Sequence, residues 1–172
     1  MPIYTKTGDK GKTQIFGKRV SKGSKIIGLV GKLDELNCIL GECIYLIKQE
    51  DIFKREGKTL KEIQKDIFTI SSLIVGANLK FNTKKKVKEI EKQIDYYEKE
   101  LPPLKNFIIP GGELASIKLH SARSVTRNAE RKAVSSKNEK FIPYLNRLSD
   151  ILFVMARWVN FKKGTKEEIW KV

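Results

Sequence analysis

Between Ser24 and Ile47 the apolar residues Ile26, Val30, Leu33, Leu36, Ile39, Leu40, Cys43, Ile44 and Ile47 recur three and four positions apart. A helix turns about 100° per residue, so this spacing gathers them into one stripe that other elements must cover. The same period returns in Leu60–Ala77, Lys84–Glu100 and Glu113–Ser136, and in a last stretch opened by Pro143 and closed by Gly164. Proline suits a helix's first turn and glycine the position just past its end. The charged residues 51–58 read as a connection, and Leu101-Pro102-Pro103-Leu104 stops the third helix. Five such helices joined by short links predict an all-α, antiparallel five-helix bundle. At 172 residues, with 40% hydrophobic and 32% charged content, the chain can bury a core of that kind. The expected organisation is a single domain over 1–172: an irregular N-terminal loop over 1–24, the bundle over 25–163 and a tail over 164–172.

The formal charge of +15 fits a nucleic acid, an acidic membrane surface or a small polyphosphate ligand. Its lysines are dispersed along every segment, with no aromatic-interleaved basic run and no zinc-finger spacing, so no specific nucleic-acid partner is expected. No run approaches the ~18 apolar residues that cross a bilayer. Met1-Pro2-Ile3-Tyr4 is no secretory leader, and the reading is a cytoplasmic protein without a membrane partner. Cys38 and Cys43 match no metal or disulfide framework and are expected as buried thiols.

The N-terminal stretch from Ile3 to Thr13 is too polar and glycine-broken for a helix. Gly8 and Gly11 can take positive φ and present backbone amides, Thr5, Thr7 and Thr13 offer hydroxyls, and Lys6, Lys10 and Lys12 add charge. This is the chemistry of a phosphate cradle without the Walker A spacing; a flexible basic tail is the alternative.

On the fourth helix, Arg123, Arg127, Glu130 and Arg131 fall within about 100° of one another, while Leu114, Ala122, Val125 and Ala129 lie on the far side. Such a face is either solvated and laced with ion pairs or a clamp for a polyanion, since arginine grips phosphate oxygens with a planar fork. The clamp gains support because arginines are few in this lysine-rich chain and three sit here at helical spacing. Asp34 is either a surface acid or a partner for one of them. Phe107-Ile108-Ile109-Pro110-Gly111-Gly112 is an apolar connection, which either packs on the bundle or lines a site for something large and apolar. His120, the only histidine, sits near the polar edge of its helix and reads as structural.

Four stretches taken together resemble the PduO-type cobalamin adenosyltransferases: Thr5-Lys6-Thr7-Gly8-Asp9-Lys10-Gly11 with Thr13, Asp34-Glu35-Leu36-Asn37, Phe107–Gly112 leading to Arg123–Arg131, and Leu145-Asn146-Arg147-Leu148-Ser149-Asp150. The resemblance spans residues 3 to about 160, in order. It implies a homotrimer with sites between subunits, which moves the 5′-deoxyadenosyl group of ATP to the cobalt of cob(I)alamin and releases inorganic triphosphate. By that likeness Thr5, Lys6, Thr7, Gly8, Gly11, Thr13 and Lys22 hold the ATP phosphates. Arg127, Glu130, Arg131 and Asn146 complete the nucleotide site, Glu130 through Mg2+. Asp34 pairs with Arg123 of the adjoining subunit, and Phe107 presses on the lower corrin face. A flavoprotein reductase and an adenosylcobalamin-dependent enzyme are the protein partners it implies. The chain departs from the family at Asn128, where a second arginine is common; that change is expected to tune affinity or subunit contact. A bundle that binds ATP or adenosylcobalamin without turnover, and a nucleic-acid-binding helical protein, are the competing readings.

Overall fold

The computed structural model describes residues 3–171; Met1, Pro2 and Val172, which belong to the expected loop start and tail end, lie outside them. Five helices carry the fold: α1 (Lys25–Ile47), α2 (Lys54–Ile74), α3 (Thr83–Glu98), α4 (Leu114–Ser135) and α5 (Ile142–Lys163). The helix α4 packs on both α1 and α5, with α2 outside α1 and α3 outside α5. The core is the set of stripes read above, with Leu33, Leu36 and Leu40 of α1, Ile67 and Ile70 of α2, and Leu148, Ile151 and Leu152 of α5 all buried. Burial of each such side chain stabilises by roughly 1.5–3 kcal/mol before entropy is counted. Ser24 caps α1 with its side chain, Pro143 lies in the first turn of α5, and Gly164 ends α5 in the left-handed conformation at φ 70°.

The second helix starts earlier than its pattern suggests. A single 3₁₀ turn over Asp51–Phe53 leads straight into α2, so most of 51–58 is helix and not a connection. Phe53, Glu56 and Gly57 face inward while the intervening charges stay in water. A Cβ on Gly57 would lie 3.7 Å from the Lys48 side chain, so glycine lets the end of α1 pass close by.

Short strands supplement the helices. The N-terminal segment forms a hairpin, β1 (Lys12–Ile15) with β2 (Lys18–Ser21), in the antiparallel register Thr13↔Val20 and Gln14↔Arg19. Its two-residue turn, Phe16-Gly17, has positive φ at both positions (33° and 80°), the geometry whose twist suits a tight hairpin. The apolar connection forms β3 (Ile108–Ile109), which pairs antiparallel with β4 (Glu168–Ile169), so the predicted free tail is a strand partner instead. Three side chains also differ from expectation. Cys38 is exposed whereas Cys43 is buried, and burial pushes the Cys43 thiol up to about 12. Leu114, at the first residue of α4, is exposed because no element covers that end of its stripe. His120, beside Arg123 at the polar edge of its helix, is nevertheless buried.

Candidate active site

The residues singled out above fall into three groups. The first is the N-terminal cradle. Positive φ at Lys6 (57°) and Gly11 (72°) turns the backbone back on itself, and the Thr5 and Thr7 hydroxyls lie 2.8 Å apart. The Lys22 amide donates to the Gly11 carbonyl at 2.9 Å, and the Arg19 guanidinium donates to the Thr7 carbonyl. A Cβ built on Gly8 would sit 3.2 Å from Lys22 Nζ, so the glycine leaves room for that ammonium against the backbone. Lys6, Thr7, Asp9, Lys10, Lys12 and Arg19 line an open hollow of about 710 Å³. Thr5, Lys6, Thr7, Gly8, Gly11 and Lys22 thus share one small basic frame, and Thr13 stands on its first strand. Arg19 is a member that reading the sequence missed; only the pairing of β1 with β2 brings it to Thr7.

The second group lines a cavity of about 560 Å³ where α3, α4, α5 and the segment before α4 meet. Phe107, Ile108 and Pro110 form an apolar wall, and His120, Arg123 and Arg127 of α4 and Phe153 of α5 face the same space. The Phe107 ring is 77% exposed, an unusual place for an aromatic whose burial would be favourable. His120 meets Phe153 edge-on with ring centres 5.8 Å apart. Burial, and then the neighbouring Arg123 charge, push the imidazole down to about 4, so it is neutral at pH 7. Arg123 is itself held below the usual guanidinium range, first by burial and then by Arg127. Its Nε is buried without a hydrogen-bond partner among the described residues.

The third group joins α4 to α5: the Asn146 amide donates to Glu130 Oε1 at 3.1 Å. Arg131 is exposed on the next residue. A Cβ on Gly28, in the first turn of α1, would lie 3.7 Å from Lys132 Nζ, so the chain leaving the cradle runs beside this end of α4. From there the guanidiniums extend back along α4 over about 12 Å, at 1.5 Å per residue, towards the Phe107 cavity. Asp34 is exposed on α1 and forms no ion pair with Arg123 within the described chain.

The two readings of the arginine face separate on partners. Glu130 is engaged by Asn146, and among the described residues no carboxylate pairs with Arg123, Arg127 or Arg131. Arg147, on the α5 side of the same cavity, is paired with Glu91 and Asp150, and Arg157, farther along α5, with Glu167. The face is therefore not a self-neutralised ion-pair surface. It concentrates positive charge beside an apolar wall, an arrangement that suits a ligand with a polyphosphate end and a large apolar body.

Comparison with known proteins agrees. The family model described as cobalamin adenosyltransferase matches residues 3–159. The chain is 38% identical to the corrinoid adenosyltransferase of Bacillus subtilis over 95% of its own length and 89% of that protein's. It is likewise 38% identical to the Homo sapiens corrinoid adenosyltransferase, over 98% of this chain and 72% of that one. Among solved structures it resembles a variant PduO-type ATP:corrinoid adenosyltransferase from Lactobacillus reuteri complexed with cobalamin and ATP, at TM-score 0.92 and 31% identity, covering 99% of this chain and 97% of that chain. Another variant of that enzyme, complexed with ATP, superposes at TM-score 0.91 with 33% identity, over 98% and 100% of the two chains. With the helices, the cradle and the unpaired arginine face all in place along the matched residues, this chain belongs to the cobalamin adenosyltransferase family.

Proposed function

We propose that the triphosphate of ATP lies between the N-terminal cradle and the arginine face of α4, and that the corrin enters through the cavity beside Phe107. The reaction is the family's own: the 5′-deoxyadenosyl group of ATP passes to the cobalt of cob(I)alamin, giving adenosylcobalamin and inorganic triphosphate. The observation that carries the reading is the row Arg123, Arg127 and Arg131, unpaired among the described residues and opening at one end on a cavity with an apolar wall.

The chemistry asks little of a conventional catalytic side chain. The Co(I) electron pair attacks C5′, the C5′–O bond breaks, and its electrons leave on the triphosphate. Cob(I)alamin is already a strong nucleophile, so the protein supplies alignment, neutralisation of the leaving charge and exclusion of water. Thr5, Lys6, Thr7, Gly8, Gly11, Thr13 and Lys22 hold phosphate oxygens through hydroxyls, amides and ammonium groups. Arg127 and Arg131 take the leaving charge from the other side. Asp34, exposed on α1, pairs with Arg123 of the adjoining subunit in a homotrimer, which relieves the repulsion that Arg127 exerts on Arg123. Phe107 presses on the lower face of the corrin and displaces its lower ligand. Asn128, where the family commonly has arginine, lies off this face.

Among the described residues there is no cluster of three carboxylate, histidine or cysteine side chains that could cage a metal. Mg2+ does not need one, because it is commonly held by one or two carboxylates together with substrate phosphates. Glu130, oriented by Asn146, fits that donor set. When bound, the ion neutralises phosphate charge. No described helix is long and apolar enough to cross a membrane. In this reading the enzyme works in the cytoplasm, receives cob(I)alamin from a flavoprotein reductase and passes its product to an adenosylcobalamin-dependent enzyme.

The test is anaerobic incubation with ATP, Mg2+ and chemically reduced cobalamin while the corrin absorption is followed. The expected outcome is replacement of the cob(I)alamin bands by those of an alkylcobalamin. Unchanged Co(I) bands in the presence of bound ATP would make the chain a carrier and remove the transferase reading.

A further inference from the structure

The wedge proposed at Phe107 sits on a segment with little packing of its own, so something must fix its height over the cavity. The end of α5 does so through two side chains one turn apart. Asn160 is 3% exposed and bonds the turn before α4 twice: its Nδ2 donates to the Gly111 carbonyl at 3.0 Å, and its Oδ1 accepts from the Glu113 amide at 3.0 Å. Gly112, between them, has φ +91°, and a Cβ there would fall 2.4 Å from Asn160 Oδ1. The contact is therefore a close fit that only glycine permits. Arg157, 6% exposed, reaches the residue just before the other strand: it forks onto Glu167 at 2.9 and 3.1 Å and donates to the Pro102 carbonyl at 2.9 Å. Beyond Glu167, β4 pairs with β3, and the Trp170 amide donates to the Phe107 carbonyl at 2.9 Å. The Thr165 hydroxyl donates to Glu113 Oε1 at 2.6 Å, which ties the start of the tail to the same turn.

We propose that Asn160, seated against Gly112, is a positioning residue that sets where Phe107 stands relative to Arg123 and Arg127. The proposal rests on the reading of Phe107 as the group at the corrin face. Asn160 touches no substrate in it; both of its side-chain bonds go to backbone groups of the turn that links β3 to α4. Losing them leaves the helix α4 in place, since its core residues Leu119, Ala122 and Ala129 remain buried. What changes is the angle at which β3 leaves that helix. A side chain that merely stabilised the bundle would lower the amount of active enzyme equally with and without Phe107, and would speed exchange throughout α5. A positioning residue acts on turnover and leaves ATP affinity alone.

The test uses Asn160→Ser in the full chain, alone and combined with Phe107→Ala, with Gly112→Ala as a second way to disturb the same contact. Two readouts are needed: kcat with KM for ATP, and hydrogen exchange at the Trp170 amide. Asn160→Ser is expected to lower kcat about tenfold and leave KM for ATP within about twofold, as loss of one or two hydrogen bonds to a positioned group implies. Exchange at Trp170 should speed up about tenfold while the amides of central α5 stay protected. In the Phe107→Ala background the substitution should lower kcat no further, because the positioned group is gone. Gly112→Ala should reproduce the exchange change even if the serine variant folds poorly. Unchanged Trp170 exchange in both variants would overturn the proposal, as would equal losses of kcat with and without Phe107. If Phe107→Ala itself leaves kcat untouched, the wedge reading fails, and the exchange measurement alone decides whether Asn160 positions the segment.

Discussion

The cradle and the Phe107 cavity are built on opposite principles. The cradle is a four-pair hairpin and the irregular loop before it, exposed over most of its residues and shaped by backbone turns at Lys6, Gly11, Phe16 and Gly17. Its hairpin tip approaches the bundle at Gly76, where a Cβ would lie 3.8 Å from the Phe16 side chain. The cavity draws on α3, α4 and α5 and stands directly on the buried core. Polyphosphate recognition works through charge and many donors, so a light frame of amides and ammonium groups suffices. A wedge or an aligned guanidinium acts by position, and position has to be inherited from packed helices.

Arg127→Ala gives the widest separation of the two. Arg127 is exposed and unpaired among the described residues, so its removal costs the bundle little, yet kcat/KM for ATP is expected to fall by about 10²- to 10³-fold, the usual scale for a lost charge-stabilising donor. Arg127→Lys should fall between the two, since it keeps the charge and loses the fork. Steady-state kinetics beside a thermal melt checks this; near-normal kinetics would leave the cradle as the sole phosphate site.

Acid should break the cavity and spare the cradle. The His120 imidazole titrates near 4 in the folded chain against about 6.5 in an unfolded one, so between those values the unfolded state holds the extra proton. Stability from this site is therefore complete above about pH 6.5 and disappears as pH falls towards 4, a loss of about 3 kcal/mol at most. Burial is the larger cause and the Arg123 charge, also opposing protonation, the smaller; Arg127, Arg147, Glu98 and Asp150 are the other charged groups that line the same cavity. Denaturant titrations from pH 7 to 4 should show this slope in the native chain and lose most of it in His120→Gln. An identical slope in both would assign acid sensitivity to the carboxylates instead.

The helices were readable because each buries a stripe of period near 3.6, and Arg123 with Arg127 stood out because four residues is one helical turn. What stayed hidden lacks any local period. The early start of α2 is masked by charges, one of which, Glu56, lies with Phe53 and Gly57 on its inner face. The strand β4 owes its existence to Ile108 and Ile109, far off in sequence, so Glu168-Ile169 reads as tail until the partner is known. Asn160 and Arg157 sit within the apolar run of α5, where a polar residue gives no sign of bonding a loop. His120 looked peripheral because its neighbour Phe153 belongs to another helix. The roles of Asp34, Phe107 and Lys22 came from family resemblance, since one chain's spacing contains neither a second subunit nor a bound corrin.

The smallest expected effect bears most directly on whether the cradle is independent of the core. Gly11 sits at φ +72° with open space where a side chain would go, so Gly11→Ala introduces no clash and costs only the backbone strain of about 1 kcal/mol. If the cradle is a separately shaped frame, that cost is felt where the loop must hold its turn around phosphate: KM for ATP should rise about fivefold, by the conversion of 1 kcal/mol to a ratio, with kcat unchanged. The melting temperature of the ATP-free chain should stay put, because the Gly11 carbonyl holds only the Lys22 amide and the bundle begins beyond Ser24. A melt lowered by the full cost with unaltered KM would mean that the hairpin folds as part of the core, and the contrast between a light frame and a packed wall would not hold.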